Sequence, residues 1–224
     1  MRVLFIGSSF TTGNNMTDVL RELVESAGQQ LEARLVTRND STLHHHWYNS
    51  EAVPAIDEEG WDYVVLQDHS LQALRRPEAL EEFAGLFAER IRVRGGKPVL
   101  YMSWPRQHHP EDWDAVCERY LQAARGSGSL VAPAGMAWKR VLDENPDVCL
   151  YAPDRNHPNF AGSYLVACTF YATLFGASPE GLSNELAHSP GVKTVVQPGL
   201  AARFQAAAWA TVQGLEKDLR GDCR

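Results

Sequence analysis

Apolar positions along this chain fall into two rhythms. Short, nearly unbroken runs come first: Arg2-Val-Leu-Phe-Ile6 stops at Gly7 and a cluster of Ser, Thr and Asn, and Trp61-Asp-Tyr-Val-Val-Leu66 also ends in polar residues. Such runs, closed by turn formers, predict strands buried on both faces that feed loops. Residues 98–102 and 130–132 predict two more strands, and the alternating stretch 31–36 a fifth. The second rhythm is helical. Residues 16–27 put Val19, Leu20, Leu23, Val24 and Ala27 at helical spacing, with Gly28 as a stop. A short helix is expected over 51–57 and long ones over 77–92, 111–124, 134–145, 159–175 and 200–219, with Pro77 suited to a first turn.

Strands alternating with amphipathic helices predict an α/β fold: a three-layer α/β/α sandwich around a five-stranded parallel sheet. No linker or internal repeat interrupts residues 1–224, so a single domain is expected. In such sheets ligands sit beyond the carboxyl ends of the strands. Polar clusters follow the first, third and fourth strands, at 7–15, 67–70 and 103–109, and the site is expected there.

Composition narrows the function classes. A formal net charge of −7, with Lys and Arg scattered, argues against a nucleic-acid partner. Nothing reads as a signal peptide or a membrane span, which leads to an expectation of a cytoplasmic protein without a membrane partner. The four cysteines form no C-x-x-C pair and no metal-type spacing, and reduced structural thiols are expected.

Chemistry gathers at two distant places. Ser9 follows the first strand and precedes a helix, where backbone amides and the positive end of a helix dipole suit a developing oxyanion. A serine hydroxyl needs a base. Asp154 and His157, three apart between Pro153 and Pro158, can supply one: a tight turn brings the carboxylate to one imidazole nitrogen and leaves the other for Ser9.

With these residues in view, the sequence resembles the SGNH, or GDSL-like, hydrolases. Ile6-Gly-Ser-Ser-Phe-Thr11 is similar to the family's nucleophile block, with Ser8 where an Asp or Asn is usual. Asp154-Arg-Asn-His-Pro-Asn-Phe-Ala-Gly162 is similar to its Asp-x-x-His block. The resemblance implies a flavodoxin-like sheet and an esterase or acyl hydrolase working through an acyl-enzyme, with no metal or organic cofactor and a small-molecule ester as partner. It also implies an oxyanion hole made by the nucleophile's own amide, a glycine amide after the second strand and an Asn side chain after the third. This chain departs at both of the latter, reading Arg38-Asn-Asp-Ser-Thr-Leu43 and Leu66-Gln-Asp-His-Ser70. The expected donors become the amides of Ser9 and Asp40 and the side chain of Gln67, since Asp tolerates unusual turn geometry.

His44-His45-His46 shows no H-x-x-x-H spacing, so a metal is not expected, but His46 on a loop at the strand ends is a candidate substrate contact, as is Trp104 after the fourth strand. Asp68, His69, His108 and His109 fit either a cleft lining or a solvated surface. Two rival functions stay open. Ser9-Phe-Thr-Thr-Gly-Asn14 also looks like the phosphate loop of an FMN-binding electron carrier, and the changed oxyanion positions fit a binding module that has lost activity.

Overall fold

In the computed structural model, which describes residues 1–58, 60–189 and 192–221, the N-terminal apolar run forms strand β1 (Arg2–Gly7), followed directly by the one-turn helix α1 (Ser9–Thr12) and then α2 (Met16–Ser26). Next come β2 (Glu32–Thr37), α3 (Leu43–Asn49), α4 (Ala52–Asp57), β3 (Tyr63–Leu66), α5 (Gln72–Arg75), α6 (Pro77–Val93) and β4 (Lys97–Tyr101). The chain continues through α7 (Trp113–Ser127), β5 (Leu130–Ala132), α8 (Ala134–Glu144), α9 (Phe160–Phe175), β6 (Glu185–Ser189), β7 (Val192–Val195) and α10 (Pro198–Gly221).

The first five strands form one parallel sheet in the order β2-β1-β3-β4-β5. Side chains alternate across it. Val3 and Phe5 of β1 join Val65, Val99 and Tyr101 against α2, α8, α9 and α10. Leu4 and Ile6 join Val64, Leu66, Leu100 and Met102 against α3, α4, α6 and α7. These eleven residues, ten on the strands and Met102 just beyond β4, are buried, which is why the strands read as continuous apolar runs. The three-layer architecture expected from the sequence is the one observed.

Helix α9 is apolar on nearly all sides because α2, α8 and α10 surround it. Asn159 caps its start, accepting from the Gly162 amide at 2.9 Å. Gly162 itself is required for close approach: a Cβ there would fall 2.5 Å from the Leu150 carbonyl oxygen and 2.6 Å from the Trp138 ring. This packing fixes where the Asp154–His157 turn enters the fold.

The structure adds two features that the hydrophobic pattern does not announce. Residues 43–49, expected as loop, form α3, with Thr42 capping it by accepting from the His45 amide at 3.1 Å. Strands β6 and β7 form a separate antiparallel pair beside the main sheet. No described helix is long and apolar enough to cross a membrane. Cys117, Cys149 and Cys168 are free thiols; Cys223 lies outside the described residues.

Candidate active site

The strand order reverses between β1 and β3, and in such sheets the crevice that takes a ligand lies beyond the carboxyl ends of the strands at this switch point. Ser9 stands there as the first residue of α1. Its hydroxyl lies 2.8 Å from Nε2 of His157, across 148 residues of sequence. The other imidazole nitrogen, Nδ1, is in short hydrogen-bonding contact with Asp154 Oδ2. With Nδ1–H donating to the carboxylate, Nε2 is the lone-pair side and accepts a hydrogen bond from the Ser9 hydroxyl.

The Asp154–His157 turn is held from within and from without. Asp154 Oδ1 accepts from the amides of Asn156 and His157, each at 3.0 Å, and Arg155 takes a left-handed φ of 60° to close the turn. The Ala152 amide donates to the His157 carbonyl at 2.8 Å. Partial desolvation pushes the Asp154 carboxyl up, but hydrogen bonds from the His157 side chain and from the Asn156 and His157 amides outweigh it and hold it below its ordinary range. Asp154 is therefore ionised at neutral pH, as a group that stabilises an imidazolium must be.

Gly7, at the end of β1, has no room for a side chain. A Cβ would lie 2.5 Å from Thr11 Oγ1 and 2.8 Å from Gln67 Oε1. The reason is the position of Gln67, which corrects the sequence expectation. Gln67 is fully buried under the loop that carries Ser9. Its Oε1 accepts from the Ser8 amide at 2.6 Å, the Ser8 hydroxyl at 2.9 Å and the Thr11 hydroxyl at 3.2 Å, and its Nε2 donates to the Asp68 carbonyl. A closed-off amide of this kind cannot present a donor to a bound substrate; it braces the loop from below.

Two further expectations are corrected by burial. His46 is fully buried, and its Nε2–H donates to the Gly7 carbonyl at 2.9 Å, so it supports the end of β1 and does not reach the crevice. Burial pushes its pKa down, against the hydrogen bond to Gly7, which keeps the ring neutral. Trp104 is also buried, stacked between Phe10 (4.8 Å) and Trp138 (3.8 Å), with its Nε1 donating to the Asn156 carbonyl at 3.1 Å. It joins the neighbour of Ser9 to the neighbour of His157. Phe10 in turn packs its ring edge-on against His157 at 5.3 Å.

Asp40, beyond β2, has a left-handed φ of 55°, the conformation in which a glycine is usual. Asn14 and Asn15 are likewise left-handed and separate α1 from α2. Asn14 has a part that its position in the sequence does not announce: its Nδ2 donates to the Pro158 carbonyl and to the Ser163 hydroxyl, both at 2.9 Å. An Asn-Asn pair just before a helix, each able to adopt αL, is the only local signal of this tie. Among the described residues no group of His, Cys, Asp and Glu is arranged to hold a metal ion.

A protein from Slackia heliotrinireducens assigned to the SGNH hydrolases is 30% identical to this chain, with a TM-score of 0.66 over 78% of this chain and 98% of that one. A DUF4886 family protein from Bacteroides uniformis superposes with a TM-score of 0.73 over 95% of both chains at 19% identity. An acetyl xylan esterase from Geobacillus stearothermophilus gives 0.62 over 77% of this chain and 94% of that one at 16% identity; it and the Bacteroides protein share the fold alone. No family model matches the chain, and comparison with curated proteins gave no match.

Proposed function

Since the chain belongs to the SGNH hydrolase family, we propose that it is a serine esterase that cleaves small esters through an acyl-enzyme on Ser9, acetylated carbohydrates being one such substrate class. The observation that carries this reading is the relay of Ser9 Oγ on His157 Nε2 at 2.8 Å, with Asp154 on the opposite nitrogen. In this mechanism His157 takes the serine proton as Ser9 attacks the ester carbonyl, and Asp154 stabilises the imidazolium. The amides of Ser9 and Asp40 receive the oxyanion. His157 then protonates the leaving alcohol and activates the water that releases the acid.

A small acyl group fits what surrounds Ser9. Phe10, next to Ser9 in the chain, and Trp104, stacked on it, are buried in the core and are not free to line an acyl groove. A larger cavity among the described residues, of about 490 Å³, lies between α7, α8 and α10 and is lined by Cys117, Met136 and Thr211, none of them part of the relay. The FMN alternative loses one hydroxyl of its loop: that of Thr11 is buried and donates to Gln67.

The decisive experiment is labelling with a fluorophosphonate, mapping of the modified residue, and turnover of p-nitrophenyl acetate. Ser9 is expected to carry the label, and Ser9→Ala to lower kcat by at least about a thousandfold. Label on another residue, or wild-type turnover by Ser9→Ala, would end the proposal and favour a binding module.

A further inference from the structure

With Gln67 committed to the nucleophile loop, the crevice needs another side-chain donor for the oxyanion. The loop after β3 offers one. Leu66 of β3 is paired with Ile6 of β1, and His69 lies as far beyond Leu66 as Ser9 lies beyond Ile6. His69 Nε2 is 4.0 Å from Asp40 Oδ1, although Asp40 belongs to the loop after β2. Strand β1 runs between β2 and β3, and neighbouring strands are about 4.8 Å apart. An imidazole rooted beyond β3 that comes this close to a residue beyond β2 spans the end of β1, the strand that leads into Ser9.

The tautomer is fixed as well. The Leu71 amide donates to His69 Nδ1 at 3.2 Å, so Nδ1 is the lone-pair side and the ring hydrogen is on Nε2. The 4.0 Å separation from the exposed Asp40 carboxylate is too long for a hydrogen bond, so that contact does not consume the Nε2–H.

We propose that His69 is a catalytic residue of this site, its Nε2–H donating to the oxyanion in place of a free side-chain amide, which this chain lacks after β3. As the Ser9 oxygen bonds to the carbonyl carbon, the carbonyl π pair moves to oxygen and is met by the Nε2–H. No proton is transferred there, and the pair returns when the tetrahedral intermediate expels the alkoxide, which His157 protonates. Partial burial pushes the His69 pKa down, and the charges of Arg75 and Arg106 add to this against the pull of Asp40, so the ring is a neutral donor at neutral pH. The inference rests on Ser9 being the nucleophile.

The test compares wild type, His69→Ala and His69→Gln on p-nitrophenyl acetate, with fluorophosphonate labelling and melting temperature measured for all three. His69→Ala is expected to lose about a hundredfold in kcat, with KM within about threefold of wild type. His69→Gln, which restores an N–H donor, is expected to recover at least about tenfold of that loss, with label still mapping to Ser9. Wild-type kcat in His69→Ala, a loss confined to KM, or equal losses in the two variants would overturn the assignment while leaving an active, Ser9-labelled wild type as an esterase. A wild type that neither turns over ester nor labels at Ser9 overturns the esterase reading, and this inference with it.

Discussion

Trp104 illustrates how single residues here act through others. Its indole is stacked on Phe10 and hydrogen-bonded to the Asn156 carbonyl, so one side chain holds both halves of the relay at their 2.8 Å spacing. Trp104→Phe keeps much of the stack and removes the hydrogen bond. The expected result is a stability loss of about 1 kcal/mol in urea unfolding, with a fall in kcat larger than any change in KM. Unchanged kcat in a variant of equal or lower stability would show that Trp104 is packing alone. The same residue shows what spacing cannot disclose. Its place at the end of the fourth strand was legible, but whether a side chain turns into the crevice or into the core depends on neighbours far away in sequence. Gln67 and His46 were misplaced for that reason: polar residues beside a predicted site look like contacts until their buried partners, Ser8 and Gly7, are seen.

At the scale of elements, long periodic segments were legible and short ones were not. Strand β1 and helix α9 declare themselves because burial on all sides leaves few polar positions. Helix α3 hides behind three consecutive histidines that the helix sends in different directions: His44 packs on Phe83, His45 meets Arg38, and His46 turns to Gly7. Its clasp to the sheet is electrostatically costly. Asp68, at the end of β3, accepts from the Leu43 amide at 3.0 Å and the His69 amide at 2.8 Å through Oδ1, while Oδ2 is buried without a hydrogen-bond partner. Burial pushes its carboxyl up from 3.8 to about 7, against those two hydrogen bonds. Between these values the folded protein holds a proton that the unfolded chain has released. Stability therefore falls as pH rises from 3.8 to about 7 and levels off above it. Asp68→Asn keeps Oδ1 as an acceptor and cannot ionise. Its stability advantage over wild type is expected to grow from little at pH 4 to on the order of a few kcal/mol at pH 8. A difference between the two proteins that does not change with pH, in urea unfolding across that range, would show that Asp68 is ionised in the fold at no cost.

Across the whole molecule, the relay depends on bringing the first dozen residues against a turn that begins near residue 150, and the sheet alone does not do this. Strand β1 carries Ser9, but the Asp154–His157 turn follows no strand of the main sheet; it is held by α9, which α2 helps to bury. Asn14 fastens the two regions directly, with both protons of its Nδ2 shared between the Pro158 carbonyl and the Ser163 hydroxyl on α9. The Ser163 hydroxyl also lies 3.4 Å from the Gly13 carbonyl, so the contact runs in both directions. Replacement by alanine would confound two effects, because position 14 has a left-handed φ of 51° that a β-carbon disfavours. Asn14→Gly separates them: it tolerates the backbone and removes only the side-chain tie. The segment after His157 would then lose one of its external anchors while the ring's contacts with Asp154 and Phe10 remain. The expected outcome is a stability loss of about 1–2 kcal/mol, with a drop in kcat of about tenfold or more at nearly constant KM. If Asn14→Gly were destabilised by that amount and still turned over ester at the wild-type rate, the packing of α9 on α2 would suffice to place His157, and the tie would belong to folding rather than to chemistry.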